Sequence, residues 1–213
     1  MRYVITGANR GIGHEFARQL HERGDEVIAA MRVPAKAAWR TIACDVGDEA
    51  SIARFADELG GEAIDVLVNN AGVMGGDELD GDDVIATYRV NAVGPLLLSM
   101  ALRANLRKGK GKKILHLTSG MGSIADNHSG GAYGYRMSKA ALNMMSRSLA
   151  MDLRHEGIVS AVINPGWVAT DMGGRGAPTS VGDSVRGMLK QLDRITLMQS
   201  GEFLSWDGKR WEW

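Results

Sequence analysis

Two kinds of hydrophobic pattern alternate along the chain and predict an α/β fold. Short, continuous apolar runs are typical of strands buried on both faces, whereas apolar residues every three or four positions are typical of amphipathic helices. The runs predict strands at 3–5, 26–31, 39–44, 64–68, 113–118, 158–163 and 201–206. The helical periods predict helices at 12–24, 48–59, 82–105, 132–156 and 180–192. This alternation favours a doubly wound parallel sheet with helices on both faces.

Two places depart from a regular alternation of strands and helices. The segment 33–38, between the second and third strands, is too short for a full helix. Pro95 lies inside the predicted helix 82–105 and is expected to kink it, because proline removes a backbone donor and clashes with the preceding turn. Asn91 lies in that helix just before the expected kink.

A glycine-rich turn follows the first strand and opens the first helix. It reads Thr6-Gly7-Ala8-Asn9-Arg10-Gly11-Ile12-Gly13. Glycines allow a tight turn and let the backbone approach a pyrophosphate, which then lies against the helix N-terminus. A strand, a glycine turn, a helix and a second strand form the start of a dinucleotide-binding βαβ unit.

Two arginines indicate which dinucleotide is preferred. Arg10 lies inside the glycine turn, and Arg32 directly follows the second strand, where no carboxylate is present to bind a ribose 2′-hydroxyl. Arginine suits a 2′-phosphate because it makes bidentate, charge-assisted contacts. The sequence therefore favours NADP(H), with NAD(H) possible if both arginines are ordinary solvated side chains.

The predicted helix 132–156, the longest uninterrupted helical pattern, carries two candidates for the chemistry of the site, Tyr135 and Lys139. At positions i and i+4 they lie on one face of the predicted helix. An ammonium beside a phenol is expected to lower the pKa of the phenol and to suit it for proton transfer. The same spacing also occurs by chance on protein surfaces, so the pair needs support from other motifs.

Composition and charge exclude several classes of function. The chain has 213 residues, with 25 Lys plus Arg balanced by 25 Asp plus Glu, so we expect one domain with no bulk affinity for nucleic acid or anionic membrane. The basic run 103–113 is interpreted as a solvated connection.

A single cysteine, a short N-terminal apolar run and the lack of any apolar stretch of transmembrane length predict a cytoplasmic protein. The five histidines have no ligand-like spacing, so no catalytic metal is expected.

Further motifs follow in a specific order: Asp45-Val46, Asn69-Asn70-Ala71-Gly72, Asn91, Ser119, Tyr135 with Lys139, and Pro165-Gly166. With the glycine turn, this set resembles the short-chain dehydrogenase/reductase family over essentially the whole chain. The segment 121–139 and the C-terminal tail are similar to the C-factor and sniffer-type carbonyl reductase subgroup. The resemblance implies a single Rossmann-type domain at 1–213 that transfers a hydride between a nicotinamide and a small carbonyl or alcohol.

The resemblance also implies a role for each motif. Tyr135 would be the proton donor and acceptor, and Lys139 would lower the Tyr135 pKa and hold the nicotinamide ribose. Ser119 would orient the substrate oxygen, and Asn91 would keep a water in the proton relay. The implied cofactor-binding residues are Gly7, Asn9, Arg10, Gly11, Ile12, Gly13, Arg32, Asp45, Val46, Asn69, Ala71, Gly72, Tyr135, Lys139, Pro165, Gly166, Val168 and Thr170. Among them Asp45 would contact the adenine amine, 69–72 the adenosine ribose and 165–170 the nicotinamide carboxamide.

Several alternatives accompany this interpretation. Ser123 and Tyr133 are rivals of Ser119 and Tyr135, although Ser123 is not at the strand end and Tyr133 has no lysine four residues on. The substrate segment, about 166–193, is short for the family and suggests an open, permissive pocket. A dinucleotide-binding signalling protein without relevant turnover is the main alternative function; an epimerase is disfavoured because no large C-terminal substrate domain follows. Family members pair their two long helices, so a homodimer or homotetramer is expected.

Overall fold

The computed structural model describes residues 1–76 and 79–213, and its centre is a parallel sheet. The strands are β1 Arg2–Thr6, β2 Glu26–Met31, β3 Arg40–Ala43, β4 Val66–Asn69, β5 Lys113–Leu117, β6 Val159–Asn164 and β7 Phe203–Ser205. They form one 7-stranded sheet in the order β3-β2-β1-β4-β5-β6-β7, with parallel pairing between neighbours. The strand order changes direction between β1 and β4, and a ligand crevice opens at such a point beyond the carboxyl ends of the strands.

Helices cover both faces of this sheet. They are α1 Gly11–Glu22, α2 Glu49–Leu59, α3 Gly81–Tyr88, α4 Gly94–Ala101, α5 Arg103–Lys108, α6 Tyr133–Asp152 and α7 Val181–Arg194. Phe16 of α1 and Met188 of α7 pack in the core on one face. Phe55 of α2, Leu98 of α4 and Leu149 of α6 pack in the core on the other face. The doubly wound, Rossmann-type fold predicted from the hydrophobic pattern is thus confirmed.

Side-chain caps fix the starts of two helices. The Asp48 carboxylate accepts hydrogen bonds from the backbone N–H groups of Ala50 and Ser51 at the start of α2. The Ser180 hydroxyl accepts one from the N–H of Asp183 at the start of α7. These caps satisfy backbone donors that the first turn of a helix leaves unpaired.

The long helix predicted over 82–105 is present, but it is continuous only over Gly81–Ala101. Its irregularity is a π-helical turn, Arg89–Val93, between α3 and α4, and the chain leaves helical geometry at Leu102 before α5. Pro95 lies in the first turn of α4, where a missing backbone donor costs little. In a regular helix the Pro95 ring would clash with the backbone carbonyl of the preceding turn. The wider π turn before Pro95 relieves this clash.

Other boundaries differ by a few residues. Helix α6 ends at Asp152, and a separate 3-10 turn, Arg154–Glu156, follows it. Within residues 1–76, β2 connects to β3 without a helix, as predicted from the short segment 33–38.

The stretch Gly81–Ala101 is long and apolar enough to cross a membrane by length and composition, contrary to the sequence prediction that no stretch reaches that length. Its 18-residue apolar window is 39% buried inside the molecule. Leu98 of this stretch is fully buried in the core between helices and sheet. The apolar character of the stretch is therefore explained in part by its packing within the fold.

Candidate active site

The glycine turn after β1 is shaped for close backbone approach. Gly7 has φ +66°, which favours glycine. A Cβ atom on Gly13 would lie 2.4 Å from Asn70 Nδ2 and 2.5 Å from the Gly7 carbonyl oxygen, so no side chain fits there. The start of α1 is therefore packed directly against the turn, with its first N–H groups at the carboxyl edge of the sheet. This cradle suits the pyrophosphate of a dinucleotide.

Thr6 and Asn70 hold the turn and the loop after β4 together. The Thr6 hydroxyl oxygen accepts hydrogen bonds from the N–H groups of Asn70 and Ala71, both at 3.0 Å. The Asn70 amide donates to the carbonyl oxygens of Thr6, at 2.8 Å, and Gly7, at 3.2 Å. The sequence analysis included Thr6 in the glycine-turn motif and Asn70 in the 69–72 loop, but it did not predict these contacts between them.

The Asn69 side chain points away from this crevice. Its amide nitrogen lies 3.1 Å from Ser99 Oγ and 3.1 Å from His116 Nδ1, in the interior between the sheet and α4. Its backbone, with Ala71 and Gly72, remains at the edge of the sheet. Any contact of Asn69 with a cofactor is therefore limited to its backbone.

Ser119, Tyr135 and Lys139 come together at the carboxyl end of β5. Ser119 and the Tyr135 hydroxyl form a hydrogen bond. Lys139 Nζ donates to the Leu117 carbonyl oxygen at 2.8 Å and lies 5.6 Å from the centroid of the Tyr135 ring. Tyr135 and Lys139 are both buried, at 9% and 4% exposure. The rivals lie elsewhere: Tyr133 is 53% exposed, and the Ser123 hydroxyl accepts from the N–H of Asp126.

The expectation that Lys139 lowers the pKa of Tyr135 is wrong for this structure. Burial raises the pKa of the Tyr135 phenol, and the hydrogen bond with Ser119 opposes that shift. Burial also lowers the pKa of the Lys139 ammonium to about 8. Desolvation is the largest cause of both shifts, because each charged form loses its hydration when it is buried.

Asn91 ties the loop after β4 to α6. Its side-chain oxygen accepts from the Val73 N–H at 2.9 Å, and its side-chain nitrogen donates to the Val73 carbonyl oxygen at 2.8 Å and to Ser138 Oγ at 3.0 Å. From the π turn, the Asn91 side chain therefore links the loop after β4 to the helix that carries Tyr135 and Lys139. Its role in holding a water stays a prediction.

The residues predicted to bind the adenosine half differ in their surroundings. Arg10 and Arg32 are exposed. Arg10 forms an ion pair with Asp171, at 2.6 Å, which sequence reasoning did not foresee. Asp45 accepts a hydrogen bond from the Gly47 N–H at 2.9 Å, and Val46 is buried against the start of α4.

The loop after β6 folds back over the glycine turn. The Pro165 carbonyl oxygen accepts from Ser184 Oγ at 2.7 Å, and Gly166 has φ +82°. Val168 is buried and pairs with Thr179 in an isolated bridge. A Cβ atom on Gly11 would lie 3.6 Å from Thr170 Cγ2, so the two loops are in contact across the crevice. The residues predicted for the pyrophosphate and for the carboxamide therefore lie on facing loops.

The C-terminal tail packs beside Ser119 and forms one wall of the candidate site. The sequence analysis gave this tail no role. A Cβ atom on Gly120, the neighbour of Ser119, would lie 2.6 Å from the Trp211 ring. The Trp213 carbonyl oxygen accepts from the Ala125 N–H at 3.0 Å. Both tryptophan rings pack on Phe203, with centroids 5.9 and 5.4 Å apart. In the sequence, only the late tryptophans hinted at this packing. Trp211 is far from Gly120 along the chain, so the sequence pattern did not reveal their contact.

The glycine cradle follows β1, and the Ser-Tyr-Lys group lies at the end of β5. Both are at the carboxyl edge of one parallel sheet, and this arrangement defines a dinucleotide-dependent oxidoreductase. The family model of the short chain dehydrogenases matches residues 2–179, and the chain belongs to this family. This membership confirms the predicted class of enzyme, an NAD(P)-dependent oxidoreductase.

Individual relatives support the predicted subgroup. The chain is 49% identical to the C-signal of Myxococcus xanthus over 155 residues, 70% of this chain and 93% of the relative. The structure of an NADPH-bound carbonyl reductase from chicken fatty liver is similar, with a TM-score of 0.92, 34% identity, and coverage of 100% of this chain and 98% of that chain. The carbonyl reductase Sniffer of D. melanogaster has a TM-score of 0.92, 27% identity, and coverage of 100% and 99%. The resemblance to the C-factor and sniffer-type subgroup is thus confirmed.

Proposed function

We propose that this protein transfers a hydride between NADP(H) and a small carbonyl or alcohol, with Tyr135 as the acid and base. The observation that carries the proposal is the buried group of Ser119, Tyr135 and Lys139 at the carboxyl edge of β5, beside the glycine cradle. The bound nicotinamide supplies the hydride chemistry, and the protein supplies position and proton.

Each residue of the group has one task in this proposal. As negative charge grows on the substrate oxygen, the Ser119 hydroxyl donates a hydrogen bond to it, and Tyr135 delivers a proton. The raised pKa of Tyr135 keeps the phenol protonated at neutral pH, which suits a proton donor in carbonyl reduction. Lys139 is fixed by the Leu117 carbonyl oxygen, and its ammonium, 5.6 Å from the centroid of the Tyr135 ring, can balance a phenolate.

Arg10, Arg32 and the glycine turn support NADP(H) as the cofactor. Both arginines are exposed, and neither position carries a carboxylate that would select a ribose hydroxyl. The similar chicken carbonyl reductase was solved with NADPH bound. The remaining predicted contacts, from Asp45 to Thr170, complete the proposed cofactor site.

The substrate is proposed to be apolar and to enter between the loop after β6, within the predicted segment 166–193, and the 120–131 loop. Large apolar side chains are exposed on these loops and at the chain end: Ile124, Trp167, Met172 and Trp213. An open, apolar mouth favours small hydrophobic carbonyl compounds over charged ones.

A homodimer or homotetramer is proposed from the outer surface of α3, α4 and α6. These helices expose apolar side chains that the core does not use: Ile85, Leu96, Met100, Met137 and Met144. Apolar patches of this kind commonly mark protein interfaces. A cytoplasmic location stays a prediction from the sequence.

A signalling role without relevant turnover is the second candidate, favoured by the 49% identity to the C-signal of Myxococcus xanthus. Titration of the purified protein with NADPH and with NADH, followed by a carbonyl panel, separates the two candidates. Tighter binding of NADPH together with reductase turnover supports the proposal. Tighter binding of NADPH without turnover on any carbonyl favours the signalling role, and tighter binding of NADH contradicts the cofactor assignment.

A further inference from the structure

An ion pair bridges the two loops that face each other across the crevice. Arg10 Nη1 lies 2.6 Å from Asp171 Oδ2, and the side chains are 69% and 79% exposed. The partners are 161 positions apart, so the contact depends on the fold and not on local spacing. Beside it, the contact between Gly11 and Thr170 brings the same two loops together.

In the proposed function, Arg10 binds the 2′-phosphate of NADP(H). In this structure the Arg10 guanidinium is already paired with Asp171. A phosphate that approaches Arg10 meets the Asp171 carboxylate, which holds one edge of the guanidinium and repels a second anion. A dinucleotide with a 2′-hydroxyl brings no such charge and leaves the pair intact. The two cofactors therefore differ in what they require of Asp171.

We propose that Asp171 is a cofactor-selectivity residue: it competes with the 2′-phosphate for Arg10 and so reduces the preference for NADP(H) over NAD(H). This inference rests on the proposed function, because it requires Arg10 to bind the phosphate. Asp171 acts through Arg10 and is a positioning residue. Removing its charge frees the guanidinium for the phosphate and removes the repulsion.

The test measures binding of cofactor fragments, which isolates the 2′-phosphate from the rest of the dinucleotide. Adenosine 2′,5′-bisphosphate and adenosine 5′-monophosphate are titrated by calorimetry into the unaltered protein, Asp171→Asn, Arg10→Gln and the double variant. Asp193→Asn is the matched control, because Asp193 forms an exposed ion pair with Arg23, at 3.0 Å, at the amino end of the sheet. Circular dichroism checks that each variant is folded.

The expected result is that Asp171→Asn binds the bisphosphate about fivefold more tightly, the size of an exposed ion pair, and the monophosphate unchanged. Arg10→Gln removes the preference for the bisphosphate, the double variant behaves like Arg10→Gln, and Asp193→Asn behaves like the unaltered protein. Equal or weaker bisphosphate binding by Asp171→Asn overturns the inference, as does an equal gain for both ligands.

The same titration separates this inference from the proposed function. If the unaltered protein prefers the bisphosphate and Arg10→Gln removes that preference while Asp171→Asn changes nothing, only the inference about Asp171 fails. If the unaltered protein shows no preference for the bisphosphate, the assignment of NADP(H) fails and the inference fails with it.

Discussion

The Lys139 ammonium lies 5.6 Å from the centroid of the Tyr135 ring, and both side chains are buried at the carboxyl end of β5. A hydrogen bond to the Leu117 carbonyl oxygen holds the ammonium in this place. Burial raises the pKa of the phenol and lowers that of the ammonium, to about 8. The neutral phenol and the charged ammonium therefore coexist at neutral pH, which is the state that carbonyl reduction requires.

The two reaction directions should respond oppositely to pH. Alcohol oxidation requires the phenolate of Tyr135, so its rate should rise as pH increases from neutral into the alkaline range, because the raised pKa leaves little phenolate at neutral pH. Carbonyl reduction requires the protonated phenol and should fall over the same alkaline range. Initial rates measured in both directions across pH check this. A reduction rate that rises with alkaline pH would contradict the assignment of Tyr135 as the donor.

Replacing Ser119 by alanine should lower kcat about 100-fold or more, because it removes a hydrogen-bond donor to the developing negative charge. Ser123→Ala is the matched control, since the Ser123 hydroxyl is engaged with the N–H of Asp126 and is 2% exposed. Steady-state kinetics with one carbonyl substrate measures both variants. A larger loss for Ser123→Ala than for Ser119→Ala would reverse the assignment between these serines.

Gly13→Ala should weaken dinucleotide binding by about tenfold or more and destabilise the fold by about 1–3 kcal/mol. The added Cβ atom would meet Asn70 Nδ2 and the Gly7 carbonyl oxygen, at 2.4 and 2.5 Å, and would displace the turn from the start of α1. Gly176→Ala, with nothing within 4 Å of its Cβ position, should change neither quantity. Fluorescence titration and urea unfolding measure the two effects. Undiminished binding by Gly13→Ala would argue against the glycine cradle as the cofactor site.

His116 should make the fold sensitive to acid. The imidazole is fully buried between Asn69 and Ser160, and burial lowers its pKa from 6.5 to about 3. Because the unfolded chain binds a proton below pH 6.5 and the folded one does not, stability is lost as pH falls, by about 2 kcal/mol at about pH 5.

His116→Gln should lack this part of the acid sensitivity. Urea unfolding near neutral pH and near pH 5 should show a smaller loss for the variant than for the unaltered protein, whatever the difference between the two at neutral pH. An identical loss in both proteins would mean that His116 is protonated within the fold.

The strands and the glycine turn could be predicted because their signals are local. Strands buried on both faces are continuous apolar runs, and a glycine turn placed between a strand and a helix has few other interpretations. The spacing of Tyr135 and Lys139 follows directly from the helical period and placed both side chains on one face of α6.

The features that could not be predicted depend on the folded environment. A π turn adds one residue per turn without changing which residues are apolar, so the pattern over 82–105 does not reveal it. The direction of the Tyr135 pKa shift depends on burial, and the inward turn of Asn69 depends on His116 and Ser99 on neighbouring elements. The partnership of Arg10 with Asp171 joins two loops that are distant in sequence.

The most direct test of the central claim is NADPH oxidation by Tyr135→Phe in the presence of a reducible carbonyl, beside NADPH binding by the same variant. The account predicts that turnover disappears while binding persists, and that Tyr133→Phe, altered two residues earlier on the same helix, retains turnover. Tyr135→Phe turnover equal to that of the unaltered protein would contradict the account, because the proton would then come from another group.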